Sequence, residues 1–205
     1  MKISIFKNKK ILFYGPANTK DKKSIDINNY DFVIITNGML EIFFTRYSGE
    51  LRCKIISMCN NLFSRTHIDI MKKYENNVYC FFLVNIKSFK TIFNYINRKK
   101  LIILPTFTHT NGLISLGLSK ILDLLKNVQF DELYITGCTI YCEKNITDCY
   151  EPGYMIPQGF KYNIFKHDKH KHDIEKEIKY VKKMCESNKK ITPCDELKNR
   201  IYSKN

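Results

Sequence analysis

Three of the five histidines fall within the stretch "KHDKHKHDIEKE", residues 166 to 177. Clustered imidazoles can hold a metal ion, and a single imidazole titrating near neutrality can act as a general base. Cys138, Cys142 and Cys149 lie upstream of His167, His170 and His172, and thiolate with imidazole would suit zinc. The spacing C-x3-C-x6-C, then H-x2-H-x-H, fits no standard finger, which leaves a zinc-binding module as the lesser reading. The residues downstream of the histidines separate them. Ile174, Ile178, Val181 and Cys185 recur at i, i+4, i+7 and i+11, the stripe of an amphipathic helix. Asp173 and Glu175 suit its first turn, and Lys182 and Lys183 its last. His172 therefore stands at a helix N-terminus, where imidazolium is disfavoured and the ring stays basic. His167 and His170 belong to the lysine-rich segment before it.

A second group of polar residues, "HTNG" at 109–112, precedes the strongest helical pattern in the chain. Ile114, Leu118, Ile121, Leu122 and Leu125 share one face, predicting a helix from about 112 to 126. Thr110 or Asn111 can cap it, and Gly112 lets a ligand approach the backbone. Free N–H groups there favour a phosphate or carboxylate, although Asn111 serves equally well as a simple cap.

These residues need a frame, and the short apolar runs supply one. "ILFY" (11–14), "FVIIT" (32–36), "KIISM" (54–58), "VYCFFLV" (78–84), "LIIL" (101–104) and "ELYIT" (132–136) alternate with helical patterns. Their continuous hydrophobicity predicts strands covered on both faces, as in a parallel α/β sheet. Ligands of such sheets lie beyond the carboxyl ends of the strands. Small residues and amides gather there: Gly15, Pro16, Ala17 and Asn18 after the first run, Asn37 after the second, Asn60 after the third and Gly137 after the last. Neither a dinucleotide nor a P-loop fingerprint is present, and no D-x-D could hold a divalent ion for a sugar nucleotide. From about 142 to 166, prolines, glycines and tyrosines read as a loop that covers a substrate.

Composition narrows the class. With 205 residues, 44% hydrophobic and 13% aromatic, the chain can bury one core and is expected to be a single domain over 1–205. No apolar run is long enough to cross a bilayer and the first residues lack a signal-peptide pattern, so a cytoplasmic location is expected. The eight cysteines are expected to be thiols. The net charge of +14 comes from lysine, with five arginines only, which argues against nucleic acid and leaves anionic ligands or peripheral contact with an anionic membrane, at the inner face.

Taken in order, the motifs resemble the bacterial sialyltransferases of glycosyltransferase family 42 and the sialylmotifs of animal family 29. "ILFYGPANTKDKKSIDINNYDFVIITN" is similar to the first nucleotide-binding motif of that group and "HTNGLISLGLSKILDLLKNVQFDELYITGCTIY" to the second. "HDIEKEIKYVKKM" is similar to the last, a histidine followed at the fifth position by an acidic residue. The resemblance runs from about residue 10 to 195. It implies a Rossmann-like fold of the GT-A-variant type, a mostly parallel sheet flanked by helices, with 142–171 as an acceptor-side lid. It implies a metal-independent, cofactor-free transfer of sialic acid from CMP-sialic acid to a glycan or glycolipid hydroxyl. Another CMP-linked sugar acid such as Kdo, or a non-catalytic relative, are the alternatives, and an oligomer is compatible with it. Carried over by position, Gly15, Pro16, Ala17, Asn18 and Gly137 would line the nucleotide, with Asn37 and Asn60 on its phosphate or cytidine. Thr110, Asn111 and Gly112 would bind the donor's carboxylate or phosphate. Tyr141 would hydrogen-bond the leaving phosphate and His172 would be the general base. Asn111 stands where the second motif normally has a hydroxyl residue.

Overall fold

The computed structural model describes residues 3–59, 65–83, 92–104, 117–140, 151 and 174–203. Within them, seven strands form one sheet: β1 (Lys10–Tyr14), β2 (Phe32–Thr36), β3 (Lys54–Cys59), β4 (Cys80–Leu83), β5 (Leu101–Ile103), β6 (Glu132–Thr136) and β7 (Ile191–Pro193). Their order is β5-β4-β3-β2-β1-β6-β7, and every pairing is parallel. The six predicted runs are all strands, two of them trimmed at their ends. The seventh strand was not expected, because "ITP" is short, carries a proline and offers one buried apolar side chain.

Parallel strands need crossover helices, and these cover both faces. The described helices are α1 (Leu40–Arg46), α2 (Arg65–Lys73), α3 (Leu118–Leu125), α4 (Ile174–Ser187) and α5 (Asp195–Tyr202). Alternation along β1 sorts the two cores. Ile11 and Phe13 point to the side of α3, α4 and α5, where they pack with residues such as Leu122, Val181 and Leu197. Leu12 and Tyr14 point to the other side, with Phe43 of α1 and Met71 of α2. The fold is thus a three-layer α/β arrangement of Rossmann-like type, as the apolar runs predict.

Both amphipathic helices foreseen in the sequence exist. α3 is described from Leu118, and residues 112–116 of the expected span lie outside the described residues. α4 carries the expected stripe, with Val181 and Cys185 buried. Two polar rungs join these helices, one buried and one partly so: Ser119 Oγ donates to Glu177 Oε1 at 3.2 Å, and Tyr180 Oη donates to Asp123 Oδ1 at 2.5 Å. Since an unpaired buried carboxylate is costly, such rungs fix the helix pair in one register.

Candidate functional site

The chain runs outward from β1 to β5, then crosses back to lay β6 and β7 on the other side of β1. The strand order therefore reverses between β1 and β6, and the carboxyl ends of these two strands flank the crevice where ligands of open parallel sheets bind. Gly15 and Gly137 occupy those ends. Gly15 N donates to Thr136 O at 2.9 Å and Ala17 N to Gly137 O at 2.8 Å, so the two turns are stitched together by backbone. A Cβ on Gly15 would collide with the Gly137 carbonyl and Cys138 Sγ, and Gly137 adopts φ +65° with Lys22 against it. Only glycine fits either position. The Thr19 hydroxyl completes the junction, 3.0 Å from Thr136 Oγ1 and accepting from Gly137 N at 3.1 Å.

Beneath this junction lies a buried ionic cluster. Lys22 Nζ donates to Gly15 O and to Glu151 Oε1, each at 2.5 Å, and sits 4.2 Å from the centre of the Tyr14 ring. Arg46 grips the same carboxylate with both nitrogens, at 3.1 and 2.5 Å, and donates to Tyr14 Oη at 2.5 Å. The side chains of Lys22 and Glu151 are each 1% exposed, whereas Arg46 is 38% exposed. Burial pulls the Lys22 ammonium below the ordinary lysine range, against the Glu151 carboxylate that favours it. Burial likewise pushes the Tyr14 phenol above its usual range. An ammonium has three donors, and here a carbonyl, a carboxylate and a ring face take them. Lys22 is therefore a tie between elements and not an amine free for nucleophilic work.

The cluster also fixes the chain beyond the site. Glu151 N donates to Pro16 O at 2.9 Å, so residue 151 is seated on the turn after β1 by backbone as well as by its side chain. At the other end of that connection, Ile140 is 5% exposed and has φ 48°. A β-branched residue in the left-handed region is strained, and such strain gathers where the chain must aim a functional group. It immediately precedes Tyr141.

Of the residues predicted from sequence, the structure brings Gly15, Pro16, Ala17 and Gly137 together at the switch point. Ala17 is buried and Asn18 is exposed. Asn37 begins the turn that ends β2. Asn60, Thr110, Asn111, Gly112, Tyr141 and His172 lie outside the described residues, as does the 142–171 segment apart from Glu151. The acidic residue five positions after His172 is Glu177, fully buried and bound to α3 through Ser119. α4, which starts two residues after His172, is thereby locked to α3, which lies downstream of the "HTNG" stretch. Sequence reasoning passed over Lys22, Arg46, Glu151 and Tyr14. Their only signal was a strand ending in tyrosine, with charged residues far apart in the chain.

For metal ligation, Asp21, Cys194 and Glu196 bring one ligand atom each within 4.8 Å of one another, among the described residues. Cys138, the one described member of the cysteine–histidine set, is a buried free thiol, and burial raises its pKa. The other described cysteines are free thiols too.

No family model, no curated protein and no solved structure matches the chain.

Proposed function

We propose that the chain is a metal-independent, inverting glycosyltransferase that moves sialic acid from CMP-sialic acid to a hydroxyl of a glycan acceptor. The observation that carries this reading is the contact of Gly15 with Gly137: the first and second motifs enter neighbouring parallel strands, and their glycines meet at the switch point. The Glu177–Ser119 bond adds a second tie, between the helix after His172 and the helix after "HTNG". On this reading, His172 takes the acceptor's proton while the acceptor oxygen attacks the anomeric carbon and the bond to the phosphate breaks. Tyr141 and the N–H groups around Thr110, Asn111 and Gly112 stabilise charge on the departing cytidine monophosphate. Electrophilic help comes from hydrogen bonds, so the scheme uses no metal and no cofactor.

The test is a thermal-shift comparison of cytidine, uridine, guanosine and adenosine monophosphates. Cytidine monophosphate at about a hundred times its dissociation constant stabilises by about 2.7 kcal/mol, and it is expected to raise the midpoint alone. Equal responses to all four nucleotides, or none to cytidine, would sink the reading. With a cytidine response in hand, His172→Ala should abolish transfer and leave the shift intact.

A further inference from the structure

We infer that the amino edge of the sheet, opposite the Gly15–Gly137 junction, docks on an anionic lipid bilayer and seats a lipid phosphate in a pocket there. Every second strand across the sheet starts at a lysine: Lys100 directly precedes β5, Lys54 opens β3, Lys10 opens β1 and Lys190 directly precedes β7. With strands about 4.8 Å apart, these lysines recur about every 10 Å, although the part-buried ammonium groups of Lys100 and Lys190 donate to the Val78 and Phe130 carbonyls. Backbone bonds join the strand starts from β7 to β4 into one rim: Leu133 N donates to Lys190 O, Asp131 N to Lys9 O, Asp31 N to Lys10 O, Lys54 N to Asp31 O and Tyr79 N to Ile55 O. Lys100 closes a short 3-10 turn, Arg98–Lys100, where a helix end would itself favour a cation, but Lys10, Lys54 and Lys190 lie in or directly before strands.

At the centre of the rim is an open pocket of about 480 Å³, walled by Lys9, Tyr30, Asp31, Arg52, Lys54 and Tyr79. Its one carboxylate is already taken, since Asp31 accepts from Lys9 Nζ and from Lys10 N, both at 2.9 Å. Arg52 and Lys54 are exposed and have no carboxylate partner among the described residues; the Lys54 ammonium lies 5.0 Å from the Tyr79 ring. The pocket thus offers, among the described residues, two cations without a carboxylate partner, one of them against the aromatic wall of Phe32 and Tyr79. Three of the four large exposed hydrophobic residues described are tyrosines: Tyr79 at 40%, Tyr95 at 52% and Tyr202 at 42%. Tyr79 precedes β4. Tyr95 lies just before Asn97, whose N–H donates to Glu75 beyond the end of α2, and Tyr202 ends α5, so all three sit on the amino side. Tyrosines among lysines are the composition that rests at headgroup depth, and each cation near an anionic leaflet adds attraction. A nucleic-acid face would favour arginine forks over scattered ammonium groups.

This face lies apart from the carboxyl edge, and its test uses no catalytic readout, so its failure leaves the transferase reading untouched. Sedimentation of the full chain with vesicles is measured for phosphatidylcholine alone and for mixtures with about one third phosphatidylserine. Binding to the anionic vesicles only is expected. Arg52→Gln with Lys54→Gln should weaken it about thirty-fold, as the loss of two surface cations implies. Lys179→Gln with Lys198→Gln, which removes the same charge from exposed positions on α4 and α5, should leave it within a few-fold. Tyr79→Ser, which keeps every charge, should also weaken it. Equal losses in the two charge pairs, no binding of the native chain, or displacement of the vesicles by duplex DNA or RNA would each overturn the proposal.

Discussion

Replacing Glu151 by alanine tests the centre of the site most directly. The carboxylate has two cationic partners in unequal positions. Arg46, 38% exposed, can turn its guanidinium to water, but Lys22, 1% exposed, cannot. Glu151→Ala therefore strands a buried ammonium with only the Gly15 carbonyl and the Tyr14 ring. Removing one partner of a buried pair costs about 3–5 kcal/mol. For a chain of 205 residues, each kcal/mol lowers the thermal midpoint by about 2–4 °C, so a fall of about 6–20 °C is expected. The double variant Glu151→Ala with Lys22→Met removes the stranded charge as well. It should recover part of the loss, with a coupling of about 1–3 kcal/mol between the sites. Melts followed by circular dichroism, with urea titrations of the same three proteins, give both numbers. A loss below about 0.5 kcal/mol in Glu151→Ala, typical of a surface change, would mean that residue 151 does not seat on the sheet. No recovery in the double variant would mean that the cost does not arise from Lys22.

Two further outcomes are expected. Gly15→Ala should destabilise in urea by at least the cost of ordinary overpacking, about 1–3 kcal/mol, because its Cβ would meet the Gly137 backbone carbonyl, which cannot swing aside as a side chain can, and the cytidine response should fall with it. His67 on α2 is held below its ordinary pKa by burial. Below about pH 6.5 the unfolded chain thus binds protons that the folded chain does not, and stability falls from there down through the folded value. A His67→Gln variant should flatten this acid-side decline in midpoint, and an unchanged slope would refute the assignment.

The strands were easy to foresee for a physical reason. Burial on both faces forces runs such as "FVIIT", and β2 is buried at all five positions. β7 lacks that signature because it lies at an edge and pairs with β6 alone. That Gly15 and Gly137 directly follow β1 and β6 was legible from the strand runs alone. The ionic cluster was not. Lys22 lies in "KDKK", where Lys20 and Lys23 are exposed and Asp21 is half-buried, and its carboxylate partner stands 129 residues away. Glu151 falls in a segment read as a covering loop, and Arg46 entered only as one of five arginines. Pairing at such separation leaves no local pattern, because one burial position is chosen by the assembled fold and not by the residues beside it.

The strand order also dictates when the crevice comes into being. β1 to β5 line up in the order of synthesis, so five of the seven strands can assemble by adding each to the last. β6 must find the free edge of β1 across some 120 residues of intervening chain, the costliest loop to close in the molecule. Until it does, that edge of β1 stays unpaired and Gly15 has no Gly137. The junction of Gly15 with Gly137 therefore forms only once β6 has docked, and a nascent chain released before β6 would hold five strands and no such junction.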